Sequence, residues 1–246
     1  MKKFDLQGTG VALVTPFHKQ GNIDFTSLGR LIDHTIEGGV DYLVSLGTTS
    51  EYPTLSSQEQ LAVVEFTIEK VENRVPVVLG MGGNDTRSLV DKIRHTDLSS
   101  IAAILSVAPY YNKPNQKGLY AHYKAIAEAS NTPIILYNVP GRCGVNMTAE
   151  TTLQLANDFS NIIGIKEASG NMAQCMEILA NKPQGFTVVS GEDALVLPMI
   201  ALGAQGVISV AANAYPNIMS ELVAHSLKSN MKKARAYSRF AFLNHC

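Results

Sequence analysis

Residues 134–166, IILYNVPGRCGVNMTAETTLQLANDFSNIIGIK, carry one full repeat of the pattern that decides the fold. The stretch opens on an apolar, β-branched run at 134–137 and closes on a second at 162–166, and neither alternates apolar with polar. Strands covered on both faces read in this way. Between the runs, Thr148 stands at a helix N-cap position, ahead of a segment carrying Leu153 and Leu155. The reading is strand, helix, strand.

Working outward, runs of the same kind lie at 11–15, 42–46, 76–79, 103–107, 186–190 and 206–210, which makes eight with the first two. The segments between them have helical spacing. Leu28, Leu31, Ile32 and Ile36 are expected on one buried face, and Leu61, Val64, Ile68 and Val71 on another. Ser56 followed by Glu59 predicts a capping box. Strict alternation implies a parallel sheet with right-handed crossovers. Eight units in about two hundred residues match an α/β protein of the (β/α)8 TIM-barrel class. A doubly wound open sheet would need a G-x-G-x-x-G turn after an early strand. Gly80, Met81, Gly82 and Gly83 lack that spacing and read as a tight turn.

Composition narrows the function classes. In 246 residues, 46% are hydrophobic and 17% charged, below the usual ~25% charged, so the chain is committed to packing and not to disorder. A single domain of this length buries roughly 70–75% of its unfolded surface and needs no staple. The 20 basic and 21 acidic residues leave a net charge of -1. No field of one sign exists to hold nucleic acid or an anionic membrane, so neither is expected as a partner. Cys143, Cys175 and Cys246 are odd in number and unpaired in spacing, which suits a reducing cytoplasm. The start, MKKFDLQGTGVALVTPF, has no signal-peptide pattern. No run approaches the ~20 apolar residues of a membrane span.

In a barrel of this kind the strand C-termini carry the chemistry. The polar residues that follow the runs are Thr48, Thr49, Ser50 and Glu51, then Tyr110, Tyr111 and Asn112, then Tyr137, Asn138 and Arg142, then Lys166 and Glu167, then Ser190, Glu192 and Asp193. No histidine, cysteine and carboxylate cluster with metal-ligand spacing is among them, so no metal is expected. Lys166 ends an apolar strand. Its amine is either desolvated into a neutral nucleophile able to form a Schiff base, or it snorkels to water or pairs with Glu167. The two threonine hydroxyls after Gly47 suit a small carboxylate or are ordinary turn chemistry. Tyr110 and Tyr111 either relay protons or pack. Arg142 can grip a carboxylate through two parallel bonds or stand solvated.

Six ordered motifs resemble one family. They are Gly47-Thr48-Thr49-Ser50-Glu51, Pro109-Tyr110-Tyr111-Asn112-Lys113-Pro114, Leu136-Tyr137-Asn138-Val139-Pro140-Gly141-Arg142, Gly164-Ile165-Lys166-Glu167-Ala168-Ser169-Gly170, Ser190-Gly191 and Gly206-Val207-Ile208-Ser209. Over nearly the whole chain they resemble the dihydrodipicolinate synthases of the pyruvate-dependent, Schiff-base class I aldolase superfamily. The resemblance implies condensation of pyruvate with L-aspartate-4-semialdehyde to 4-hydroxy-tetrahydrodipicolinate, in lysine and diaminopimelate biosynthesis, without a cofactor. Lys166 is then the imine former, and Thr49 a holder of the pyruvate carboxylate. Thr48, Tyr111 and Tyr137 form the proton relay, with Tyr111 reaching into a neighbouring subunit's site. Arg142 binds the semialdehyde carboxylate, and Gly191 and Ile208 line the site near the lysine.

The same resemblance implies a homodimer or homotetramer and a feedback pocket at the subunit interface, with Tyr52, Asn84 and Tyr110 among its residues. Ser88 and Gln60 stand where sensitive members have a carboxylate and a histidine, which implies weak feedback by L-lysine. Ser50 replaces the family's usual glycine. The barrel is expected over 1–226, with 227–246 as the start of a C-terminal helical extension that is truncated relative to family members. Two other readings stand beside this one. One is an N-acetylneuraminate lyase or a 2-keto-3-deoxy-sugar-acid aldolase of the same superfamily. The other is a catalytically silent truncated barrel that binds a ligand or a partner subunit.

Overall fold

The computed structural model describes residues 4–245. Cys246 lies outside the described residues, as do residues 1–3 of the opening segment. Strands β1 (Gly8–Ala12), β2 (Tyr42–Ser45), β3 (Val77–Gly80) and β4 (Ala103–Val107) are followed by β5 (Ile134–Asn138), β6 (Ile162–Glu167), β7 (Thr187–Ser190) and β8 (Gly206–Ser209). Each pairs in parallel with its sequence neighbours, and β8 returns to β1 through Gly8 opposite Gly206 and Gly10 opposite Ile208. That pairing closes an eight-stranded (β/α)8 barrel.

The outer layer begins with α1 (Phe25–Glu37), α2 (Ser57–Val71), α3 (Thr86–His95) and α4 (Gln116–Ala129). The crossover from β5 to β6 holds a single turn, α5 (Pro140–Cys143), and then α6 (Ala149–Asp158). After these come α7 (Met172–Asn181), α8 (Val196–Ala201), α9 (Pro216–Leu227) and α10 (Met231–His245), the last packed against α9. Among the described residues, no helix is long and apolar enough to cross a membrane.

The helix starts are built as the sequence predicts. Ser56 accepts from the Glu59 amide at 3.3 Å while Glu59 reaches back to the Ser56 amide at 2.8 Å. Thr148 accepts from the Thr151 amide at 3.3 Å. The strands are buried on both faces, with Val11, Leu43, Val78, Ile104, Ile135, Ile165, Val188 and Val207 all within a few percent of full burial. This double burial is why their sequences run apolar without alternation.

Three expectations need correction. The first strand is Gly8–Ala12 and not 11–15. Glycines hid it, because a Cβ at Gly10 would stand 2.1 Å from the Tyr42 ring and one at Gly206 would stand 2.0 Å from the Gly8 carbonyl. The seam of the barrel closes only where side chains are missing. On α2, Leu61 is 55% exposed and the buried line is Val63, Thr67 and Val71. Thr67 buries itself by donating its hydroxyl to the Val63 carbonyl at 2.7 Å, so a polar residue occupies the inner face. Gly80 and Gly82 do not make a positive-φ turn. They admit neighbouring backbone and side chain, since Cβ atoms there would meet the Leu46 carbonyl at 2.2 Å and Val107 at 2.6 Å.

Candidate active site

The register of β5 on β6 sets Tyr137 opposite Lys166 and Asn138 opposite Glu167. Successive side chains point to opposite faces of a sheet, so Tyr137 and Lys166 share the inner face and the other two share the outer one. Lys166 is 3% exposed, and its Nζ lies 4.5 Å from the centroid of the Tyr137 ring. Burial lowers its pKa to about 8, with Asp193 and Glu192 pulling it back up and Arg142 pushing it further down. At that value about a tenth of the amine is neutral at pH 7. The lysine does not snorkel. Nor does it pair with Glu167, whose carboxylate faces away and accepts from Asn138, Gln174 and the Ser169 amide.

Tyr137 is also buried, which raises its phenol pKa, while a hydrogen bond shared with the Thr48 hydroxyl and the charge of Arg142 oppose the rise. Thr48 opens the short turn Thr48–Ser50 directly after Gly47. Ser50 is buried there and donates to the Gly47 carbonyl at 2.7 Å. The side chain at this position therefore closes the turn and leaves Thr48 and Thr49 half-buried at the mouth. Arg142 lies exposed on α5. It is close enough to act electrostatically on both Lys166 and Tyr137. Cys143 ties that turn down by directing its thiol to the Ala108 carbonyl at 3.2 Å.

Gly191 lies on the lysine stem, where a Cβ would meet Lys166 Cε at 3.0 Å and the Ala168 methyl at 2.5 Å. Ile208 is fully buried on β8 opposite Gly10. Gly206 is level with Val189, and Val189 with Lys166, so Ile208 sits one inward position nearer the mouth, two strands away. Tyr111 is different. It is 89% exposed with φ 69°, and the structure does not bring it to the Lys166 of its own chain.

The residues expected in a feedback pocket fall on the loops after β2, β3 and β4. Tyr52 donates to the Gly82 carbonyl at 2.7 Å. Burial and a hydrogen bond with Tyr110 raise its pKa well above the ordinary tyrosine range. The Asn84 carbonyl accepts from Asn112 at 3.0 Å. Gln60 accepts from the Lys92 ammonium at 2.8 Å, and Ser88 is engaged with Asp85 at 2.7 Å.

Glu192, Asp193 and Asn138 stand at strand ends in the sequence without an expected role, and the outward role of Glu167 was missed. Asp193 accepts from the Val210 and Ala211 amides at 3.1 and 2.9 Å and joins the β7 loop to the end of β8. The signal available for Asn138 and Glu167 was a polar residue directly after Tyr137 and another directly after Lys166. Among the described residues no group of histidine, cysteine and carboxylate side chains could hold a metal ion.

Fold and site together define a TIM-barrel protein of the lysine-centred kind, with a desolvated amine, a phenol and a hydroxyl converging at the strand C-termini. The Dihydrodipicolinate synthetase family model matches residues 5–241. A 4-hydroxy-tetrahydrodipicolinate synthase of Parabacteroides distasonis is 52% identical over 96% of this chain and 79% of its own length. That of Azobacteroides pseudotrichonymphae is 50% identical over 99% of this chain and 82% of its own. Among solved structures, the chloride-inhibited dihydrodipicolinate synthase of Acinetobacter baumannii complexed with pyruvate aligns with a TM-score of 0.93. It is 40% identical and covers 98% of this chain and 83% of that one. The chain belongs to the dihydrodipicolinate synthetase family.

Proposed function

We propose that this chain condenses pyruvate with L-aspartate-4-semialdehyde to 4-hydroxy-tetrahydrodipicolinate, in lysine and diaminopimelate biosynthesis. The observation that carries the reading is the buried amine of Lys166 over the Tyr137 ring. A neutral lysine adds to the ketone carbon of pyruvate and water leaves, giving an imine. The imine acidifies the methyl group. Loss of one methyl proton gives an enamine whose carbon attacks the aldehyde. The amine of the second substrate then adds to the imine carbon and displaces Lys166, closing the ring. One water is released overall.

Tyr137 stays protonated at neutral pH, so it serves as a proton donor, with the Thr48 hydroxyl as its relay partner. Thr49 offers its hydroxyl to the pyruvate carboxylate. Arg142 offers a fork of donors to the semialdehyde carboxylate. Gly191 leaves room beside the lysine stem, and Ile208 lines the mouth through its carbonyl. The exposed ring of Tyr111 suits a role in a neighbouring subunit's site, and we read the working form as a homodimer or homotetramer. Residues 1–226 are the catalytic barrel and 227–246 belong to a helical extension. The placement of α10 on α9 and α8 supports that division. The Tyr52, Asn84 and Tyr110 region is read as an interface pocket with weak affinity for L-lysine, since Gln60 and Ser88 already have partners within the chain.

The test is a product assay with three substrate sets. Pyruvate plus aspartate semialdehyde should give the cyclic product. N-acetylneuraminate and 2-keto-3-deoxy-sugar acids should not be cleaved at comparable rates. Cleavage of either sugar acid without synthase activity would assign the protein to the lyases. No turnover of any set would leave a ligand-binding barrel.

A further inference from the structure

The outer face of β5 and β6 carries a polar cluster that the reaction does not touch. Asn138 is fully buried and Glu167 is 1% exposed. The Glu167 carboxylate accepts from Asn138 Nδ2 at 3.2 and 3.0 Å, from Gln174 Nε2 at 3.0 Å and from the Ser169 amide at 2.7 Å. Asn138 is itself held, accepting from the Met147 amide at 3.0 Å and donating to Asn146 at 2.8 Å. Among the described residues no ion pair is made to Glu167. A buried carboxylate satisfied only by neutral donors is an expensive way to fill space. Its location suggests what it does there.

The pairing of β5 with β6 is irregular at its start. Ile134 lies opposite Ile162, but Ile135 lies opposite Gly164, so the register slips by one residue. A one-residue slip turns every side chain of a strand to the other face. At the far end the strands must still bring Tyr137 and Lys166 to the same inward rung. The very next rung is Asn138 opposite Glu167. The geometry points to this outer pair as a clasp that fixes the register and so sets Lys166 over Tyr137, which makes Glu167 and Asn138 positioning residues for the reacting amine. The inference rests on the proposed imine chemistry at Lys166 and deepens it.

The test measures the rate at which borohydride traps pyruvate on Lys166, as a function of pH, in three variants. Glu167→Gln keeps the shape but turns a donor toward three donors. Asn138→Ser removes the cross-strand donor and leaves Glu167 with its other partners, so it decides the matter if Glu167→Gln does not fold. Leu28→Ala lowers stability on the opposite side of the barrel, at a fully packed position of α1, and serves as the control. A loosened clasp lets water reach the ammonium. The midpoint of the trapping profile should then rise by about one pH unit, and trapping at pH 7 should fall about tenfold. Leu28→Ala should lower the melting temperature without moving the midpoint. A midpoint that stays in place or moves down in folded Glu167→Gln and Asn138→Ser would overturn the inference, and loss of a negative charge alone moves it down. Absence of trapping in the unsubstituted protein would instead overturn the proposed function.

Discussion

The two ends of the barrel differ in a way that volume alone would misjudge. At the N-terminal end a groove of about 1490 Å³ gathers residues that precede β1 to β5, among them Asp41, Pro76 and Pro133, with Ser220 and Leu227 of α9. It is roomy and partly apolar. Three carboxylates line it, Asp5, Asp41 and Glu221, and one amine, Lys228 at the end of α9. Burial raises the Asp41 pKa, and its carboxylate is occupied by the Thr9 amide at 2.7 Å. At the other end a nucleophile, a phenol and a hydroxyl meet. Convergence of chemically matched groups marks the site better than size does. Strand direction explains it, since the loops leaving the strands carry function and those entering them carry stability.

The largest expected effect lies at the mouth. Tyr137→Phe removes the phenol but keeps the ring beneath the amine. If the phenol moves protons, kcat should fall about 10²- to 10⁴-fold, read by steady-state kinetics of product formation. A loss of less than threefold would take Tyr137 out of the relay.

Stability gives the next largest effect. The folded pKa of Lys166, about 8, lies below the ordinary value of 10.5. Between those two values the unfolded chain binds the proton that the folded chain has lost. Burying the ammonium therefore costs stability fully below pH 8, and the cost fades as pH rises toward 10.5. Lys166→Met should be more stable at pH 7 by on the order of 3 kcal/mol, with the gain shrinking at pH 10. Urea melts at the two pH values decide it, and a variant less stable at pH 7 would mean that the amine is not desolvated at a cost.

Arg142→Ala should weaken semialdehyde binding by about 1.5–3 kcal/mol, the loss of a charge-assisted pair, with pyruvate trapping largely kept. Separate KM values for the two substrates test this, and an unchanged semialdehyde KM would remove Arg142 from the acceptor site. The smallest effect belongs to the groove. Ser220 buries a hydroxyl with no hydrogen-bond partner among the described residues, so Ser220→Ala should leave activity within about twofold and stability unchanged or slightly higher. A tenfold loss of activity would join the two ends functionally and undo the contrast.

Much of this was legible in the sequence, for physical reasons. Strands buried on both faces run largely apolar, so eight could be counted and all but the first placed on their residues. Strand direction then put Thr48, Tyr137 and Lys166 at one mouth. What stayed hidden depended on pairing. The start of β1 is written in glycines chosen for close approach and not for strand propensity. Glu167 reads as a natural salt-bridge partner for Lys166, and only the alternation of faces turns it away to Asn138 and Gln174. Tyr111 stands 89% exposed on a left-handed backbone, and no residue type announces either feature at that position.

The most direct test of the account is covalent capture at the mouth. The protein is incubated with pyruvate and borohydride, digested, and mapped by peptide mass. One reduced pyruvate adduct is expected, on Lys166, formed faster as pH rises through about 8 and absent in Lys166→Ala. Labelling spread over surface lysines, or equal labelling of Lys166→Ala, would contradict it.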